Sequence, residues 1–386
     1  MKVIIRLVLV SILLTMVQKI TYGQGEAAVP FLELAPDSRG GAMGESGAGL
    51  ADNSAAIFWN PAGIAFLKGS EVSFTHSNWL PQFGLDLSYE YLTYRQFIPD
   101  ISGSLTASIT YMNYGEFVRT SETDQVLGTF HSFDAALTVG YATKISDDWG
   151  LGFNFRIIHS VLSSIGTASE QGSGISTSVS FDLGGMWRPG KLIIPFTSTN
   201  IGGDFSVGAN LSNMGPKMYY IDKQQADPIP TNFRLGFAYN IYKDKYNSLI
   251  YTLDFSKLLI NKDTTTQTSQ EFYQAIFTSW GNRPFSEELR SIQTSMGLEY
   301  WYGEPGDFLF ALRAGYFYED PSFGNRKFIT FGAGIRYDIY GFDFSYLTTS
   351  VFPNGDQSPL NDTLRFTISI GWGGIPGDVR GLPRGI

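Results

Sequence analysis

The chain has 386 residues, no cysteine, and 27 lysines and arginines against 36 aspartates and glutamates, for a formal net charge of -9. Lack of cysteine excludes disulfides, thiolate metal sites and cysteine nucleophiles together. Lack of a basic cluster excludes nucleic acid as a partner, since phosphate binding needs a basic face. Glycine at 43 residues and aromatics at 15% are high for a globular domain, and both suit a barrel with small inward residues and aromatic girdles.

Met1, Lys2 and Arg6 precede an apolar run from Leu7 to Val17, then Thr21, Tyr22 and Gly23. This is the pattern of a secretory signal peptide, residues 1–23. Its loss with Lys2, Arg6 and Lys19 takes the net charge to about -12. No later segment reaches the roughly 18 apolar residues of a spanning helix. Membrane residence would therefore require a closed barrel, the other architecture that satisfies every backbone group in lipid.

Residues 24–69 do not alternate. They run through Ser38-Arg39-Gly40-Gly41-Ala42-Met43-Gly44-Glu45-Ser46-Gly47-Ala48-Gly49, then Asp52-Asn53-Ser54 and Phe58-Trp59-Asn60-Pro61-Ala62-Gly63. The segment reads as a compact plug, in which Asp52 or Asn53 caps a helical turn through Ala56 that Asn60-Pro61 ends.

From Glu71 to Trp372 the pattern is period two. Alternation bounded by turn residues predicts about fourteen strands. The first seven span Glu71 to His76, Gly84 to Tyr94, Asp100 to Tyr111, Phe130 to Ala142, Asp148 to Ser160, Gly174 to Met186 and Gly203 to Leu211. The rest span Asn232 to Ile241, Asn247 to Lys257, Ser291 to Tyr302, Asp307 to Tyr318, Lys327 to Asp338, Gly341 to Thr348 and Asp362 to Trp372. In the twelfth, Ile329, Phe331, Ala333, Ile335 and Tyr337 form one face, and Phe328, Thr330, Gly332, Gly334, Arg336 and Asp338 the other. Apolar faces of this kind suit lipid outside and a wet or plugged lumen inside. The expected fold is therefore an all-β, antiparallel transmembrane barrel over residues 70–372 with an N-terminal plug over 24–69 and a tail over 373–386.

Tight turns and long connections mostly alternate, as in outer-membrane barrels with short periplasmic turns and long external loops. Trp187 to Gly202 breaks the rule and puts the placement of the seventh strand in question. An even strand count places both termini in the periplasm. The longest loop, Leu258 to Arg290, carries short helices at Glu271 to Phe277 and Phe285 to Leu289, and by parity lies outside.

Asp86, Glu90, Asp134, Arg156, Asp182, Asp204, Arg234, Asp254, Glu299, Arg313, Arg336, Asp343 and Arg365 fall on the lumen side. With both signs present, ion pairs joining plug and wall are expected in preference to a single-sign ion filter. Trp149, Trp301, Tyr302 and Trp372, with Tyr300, Tyr316 and Tyr318, read as an interfacial girdle.

Little here is catalytic. His76 and His131 sit on the outward side, and His159 is next to Ser160, whose side chain must point to the opposite face. There is no Gly-x-Ser-x-Gly elbow, phosphate loop, calcium-loop spacing or transition-metal cluster. The expectation is a non-enzyme with no metal and no cofactor.

Gly47 to Ser54 leading to Phe58-Trp59-Asn60-Pro61-Ala62-Gly63 resembles the hatch motif of the fourteen-stranded FadL-like barrels. A closer similarity, to the PorV/PorQ branch and within it to PorV, covers most of the mature chain. It is carried by Val29-Pro30-Phe31-Leu32, Pro36-Asp37-Ser38-Arg39-Gly40-Gly41-Ala42-Met43-Gly44 and Leu211-Ser212-Asn213-Met214-Gly215-Pro216-Lys217. Further matching segments are Pro230-Thr231-Asn232-Phe233-Arg234-Leu235-Gly236, Asp254-Phe255-Ser256-Lys257-Leu258-Leu259, Phe285-Ser286-Glu287-Glu288-Leu289 and Gly297-Leu298-Glu299-Tyr300-Trp301-Tyr302. The resemblance implies a protein of the type IX secretion system of Bacteroidetes-like bacteria. It would receive cargo through its C-terminal signal domain from the translocon barrel and hand it to a sortase and attachment complex, in contact with outer-membrane lipid and lipopolysaccharide.

On that reading, the loops Leu258 to Arg290 and Asn213 to Thr231, with Tyr219, Tyr220, Phe272, Tyr273, Trp280 and Phe285, are the partner surface, or lids on the barrel mouth. The alternative is a FadL-like transporter of small hydrophobic molecules with the hatch as gate. Lipid A deacylation, attached to some relatives, lacks a usable histidine. The chain departs from the family habit by continuing past Trp372 through Pro376 and Pro383.

Overall fold

The computed structural model describes residues 27–373 except 122, 124, 164–172, 194–198, 223–224, 263–267 and 305–306. The expected signal peptide, most of the Leu162 to Ser173 connection, the turn at Pro305-Gly306 and the expected tail beyond Gly373 lie outside the described residues.

The described residues form fourteen strands: β1 Ser70–Asn78, β2 Ser88–Ile98, β3 Gly103–Thr120, β4 Val126–Lys144, β5 Trp149–Ser163, β6 Gly174–Trp187 and β7 Phe205–Met214. They continue with β8 Asn232–Lys243, β9 Asn247–Leu258, β10 Gln293–Tyr302, β11 Leu309–Tyr318, β12 Lys327–Tyr337, β13 Tyr340–Thr348 and β14 Thr363–Trp372. Each pairs antiparallel with its sequence neighbours, and β1 pairs with β14, Ser70 opposite Trp372, to close the barrel. Closure removes every sheet edge, which lipid would not tolerate. No helix among the described residues is long and apolar enough to cross a membrane.

Every predicted strand is present, including the seventh. The long connection before it, residues 188–204, is real and carries an Ile193–Asn200 bridge. Among the described residues, four short α-helices stand apart from the strands: α1 Ser38–Ala42, α2 Ala56–Trp59, α3 Phe272–Thr278 and α4 Phe285–Arg290. Burial alternates as the sequence predicts. On β14, Arg365 and Thr367 are buried, while Phe366, Ile368 and Trp372 are exposed. Polar residues face inward and apolar ones outward, the reverse of a soluble barrel.

β3 and β4 run well past their predicted ends. β2 pairs with β3 only as far as Asn113 and β5 with β4 only from Phe133, so residues 114–120 and 126–132 project as a two-stranded hairpin. A register shift at Asn113/Gly115, with Gly115 at φ 84, marks where the hairpin leaves the wall. Phe117 stacking on Phe130, centroids 5.7 Å apart, supports it there.

Candidate functional site: the filled lumen and the long-loop rim

The lumen is occupied by the chain's own N-terminal segment. Residues Ala28 to Leu67 are largely buried, with α1 against β11–β14 and the 3-10 turn Pro61–Phe66 against β4–β6. An irregular segment cannot satisfy its own backbone, and inward side chains of the wall do so. Asp254 accepts from the N–H groups of Gly47 and Ala48, both at 2.8 Å. Thr330 accepts from Gly44 N at 2.9 Å and donates to Ala42 O at 2.8 Å. Ser206 donates to Gly49 O at 2.6 Å, Asn154 to Ile57 O at 2.8 Å and Arg234 to Glu45 O at 2.8 Å.

Contact is close enough to dictate glycine on both sides. Gly44 has φ 66 and lies against the Tyr316 backbone, and a Cβ on Gly315 would come within 2.0 Å of Gly44 N.

The expected motif residues divide in role. Asn60 accepts from Ala62 N at 3.1 Å, so it caps the 3-10 turn that Pro61, Ala62 and Gly63 enter, and it donates to Ala48 O at 3.2 Å and Gly185 O at 3.0 Å. Trp59 donates through Nε1 to Asp37 at 2.8 Å, while Asp37 also accepts from Gly40 N at 3.1 Å and caps α1. Burial pushes the Asp37 carboxyl up, against those two hydrogen bonds. Neither Asp52 nor Asn53 caps α2, contrary to expectation: Ala55 is the N-cap residue and offers no side-chain bond. Asp52 is taken up by Arg39, and Asn53 contributes its carbonyl to Ala56 N.

The principal ionic assembly was half visible in the sequence. Arg39 donates to Glu299 through Nε at 2.7 Å and Nη2 at 2.6 Å, and also pairs with Asp52. Arg313 joins Glu299 at 2.7 Å to Asp343 at 2.8 Å, and Arg336 reaches Asp343 at 2.5 Å. The result is a chain of three guanidiniums alternating with three carboxylates, neutral overall and running from segment to wall. Arg39 was missed because nothing in Ser38-Arg39-Gly40 marks a buried ion. The complementary signal was Glu299, an acid inside an otherwise aromatic strand end.

Other pairs are Arg156 with Asp182 at 2.8 Å, Arg234 with Asp254 at 3.8 Å and Arg365 with Glu45 at 3.7 Å. Asp134 instead accepts from Tyr114 Oη at 2.7 Å.

Several placements are corrected. Glu90 is on the outward face of β2, opposite His76, whose Nδ1 lies 2.7 Å from it. Tyr89 and Tyr91 take the inward positions because the N-terminal segment offers them apolar neighbours. Asp86 and Asp204 lie in loops beside β2 and β7. Trp301 is not in the girdle. At 1% exposure it faces the lumen, with the guanidiniums of Arg313 and Arg336 5.3 and 5.5 Å from its ring. Consecutive strand residues cannot share a face, so Tyr300 and Tyr302 outward require Trp301 inward. Trp149, Tyr302 and Trp372 do face outward, all at the end of the barrel with the tight turns.

At the opposite, long-loop end, Tyr219, Tyr273, Trp280 and Phe285 are exposed and Phe272 is half-buried. Tyr220 turns inward, its hydroxyl 2.9 Å from that of Ser160. Phe277, not singled out in the sequence, is 78% exposed. Lys217 pairs with Glu271 at 3.2 Å and Arg290 with Asp320 at 3.0 Å, tying the longest loop to both neighbours. Hydrogen bonding to Arg290 holds the Asp320 carboxyl below the usual aspartate range.

A closed fourteen-stranded barrel with apolar strand faces outward and its own N-terminal segment inside belongs to the outer-membrane class of transport and secretion barrels. A family model described as "Type IX secretion system protein PorV" matches residues 21–265, well over half of the chain, and the chain belongs to that family.

No curated protein matches it. Among similar solved structures is a deletion mutant of the TodX monoaromatic hydrocarbon channel, at 11% identity and TM-score 0.50, covering 87% of this chain and 98% of that one. The P. putida toluene transporter TodX is 10% identical, with TM-score 0.49 over 88% and 99% of the two chains. A Pseudomonas aeruginosa FadL homologue is 12% identical, with TM-score 0.48 over 90% and 99%. At these identities what is shared is the fold.

Proposed function

We propose that this chain is a non-enzymatic outer-membrane component of the type IX secretion system. It receives cargo bearing a C-terminal signal domain from the translocon barrel and delivers it to the surface sortase and attachment complex. The observation that carries this reading, beside family membership, is the filled lumen. A barrel whose interior is spanned by Arg39, Glu299, Arg313 and Asp343 has its working surfaces at its rims.

In this reading the termini are periplasmic and the long loops extracellular. Trp149, Tyr302 and Trp372 anchor the periplasmic interface, and the loops that carry Tyr219, Phe272 and Tyr273 meet cargo or machinery. The competing reading, a transporter of small hydrophobic molecules, draws on fold likeness to TodX. It needs an apolar passage where the ionic chain stands.

The test is to tag the protein in its host, extract it in mild detergent and identify co-purifying proteins by mass spectrometry. A translocon barrel, a sortase or cargo with type IX C-terminal domains is the expected result. A lone barrel carrying a fatty-acid-like ligand would overturn it.

A further inference from the structure

The longest loop does not simply cover the mouth of the barrel. On β8 the inward residues are Asn232 and Arg234, so Phe233 between them faces outward, and its register partner on β9 is Lys257. Lys257 thus sits on the lipid side of the wall, yet it is only 4% exposed. What covers it is the loop. Its Nζ pairs with Glu288 of α4, donates to Ser291 Oγ at 2.8 Å and lies 5.2 Å from the Trp280 ring. Trp280 in turn packs edge-on against Phe233, centroids 5.7 Å apart. The segment from α3 to α4 therefore passes over the rim and down the outside of β8–β9.

An ammonium facing hydrocarbon is costly, and here a carboxylate and an indole seal it. The far side of the same segment is apolar. Phe277 and Phe285 are each 78% exposed and Leu289 is 54% exposed. Phe277 on α3, and Phe285 and Leu289 four residues apart on α4, turn apolar side chains away from the barrel. The Lys217–Glu271 and Arg290–Asp320 pairs hold both ends in place. These side chains continue the outward apolar surface of the strands below, where Phe255 and Leu298 are exposed.

We propose that the α3–α4 segment is a lateral lipid-binding collar. It lies at the headgroup–acyl boundary of the leaflet at the long-loop end, with Phe277, Phe285 and Leu289 among acyl chains and the Lys257–Glu288 pair sealed beneath. Continuity with the lipid-facing wall selects acyl chains as the occupant. The proposal goes beyond the secretion reading and leaves Tyr219 and Tyr273 to protein partners.

Because the chain has no cysteine, single variants F277C and F285C of the full barrel can carry a nitroxide in proteoliposomes at high lipid-to-protein ratio. L298C on the mid-wall serves as lipid reference and V118C on the projecting hairpin as aqueous reference. Heat-modifiable migration verifies folding of each. Collision with oxygen severalfold above collision with a nickel chelate at residues 277 and 285, as at 298, is expected. Nickel-dominated collision, as at 118, would overturn the collar. So would dipolar broadening that disappears on dilution with unlabelled protein, which would assign these side chains to a second copy.

Discussion

Removing Arg39 should release the N-terminal segment while leaving the barrel closed. Its guanidinium faces two carboxylates, Asp52 and Glu299, both inaccessible to water. Breaking a buried ion pair from one side costs about 3–5 kcal/mol, because the remaining charge has no solvent to return to. In Arg39→Ala, Glu299 keeps Arg313 at 2.7 Å, so the orphan is Asp52 and the lower figure applies. About 3 kcal/mol at 1.4 kcal/mol per decade raises the undocked population roughly a hundredfold.

The assay is maleimide labelling of a single cysteine placed at Ser46, which is 1% exposed and bonded to Met43 O at 2.7 Å. The labelling rate follows the undocked population where reclosing is fast. Arg39→Met with Asp52→Leu removes the orphan charge and should recover at least about tenfold. Arg39→Lys, which keeps the charge without the bidentate geometry, should fall between parent and Arg39→Ala. Labelling of Arg39→Ala within about twofold of the parent, in a barrel of normal heat-modifiable migration, would refute a segment held by this ion pair.

Asn60→Ala removes three hydrogen bonds at about 1 kcal/mol each, so the same labelling should rise on the order of thirtyfold to a hundredfold. Gly208→Ala puts a Cβ 2.0 Å from Ala48 O, and should displace the segment further than Asn60→Ala does, read as faster proteolysis at Lys68 in an intact barrel. The Arg290–Asp320 tie should depend on pH. The Asp320 carboxyl lies below its ordinary value of 3.8 in the folded state, so its contribution is complete above 3.8 and is lost as pH falls through the depressed value. Spin labels at Ser286 and Asn325 should then separate in acid, and Asp320→Asn should give the same separation at neutral pH.

The strands were legible because lipid outside and polar groups inside impose period two over each of fourteen runs, as Ile329 to Tyr337 shows at its plainest. What the pattern hid follows from the occupied lumen. A filled barrel interior is partly a protein core, so Tyr89, Tyr91 and Trp301 point inward, where a water-filled lumen would disfavour them. Glu90 was misassigned for the complementary reason, since its bond with His76 lets it stay outward near the rim. The ion chain was half legible: Glu299, Arg313 and Asp343 announce themselves by breaking apolar strands, whereas Arg39 stands among small polar residues with no periodicity to violate. Lys257 is a third case. Strand parity puts it outward, but only the loop's path shows what covers it.

The irregularity in loop length has a physical reason of the same kind. Tight turns suffice at the short-turn end wherever strands need only reverse, and residues 188–204 do more than reverse. Arg188, the first residue after β6, is buried, donates to Leu50 O and lies 5.0 Å from the Phe66 ring, so its charge is spent on the floor of the N-terminal segment. With Arg188 turned inward, the chain must travel outward again. Its backbone is held on the way by Asp148, which accepts from Arg188 N at 2.8 Å and Gly190 N at 2.9 Å, before Gly203 N meets Pro189 O at 2.7 Å and β7 begins. A two-residue turn cannot both deliver an arginine beneath the segment and start the next strand in register. The extra length thus belongs to closure of the lumen, where Arg188 meets the N-terminal segment.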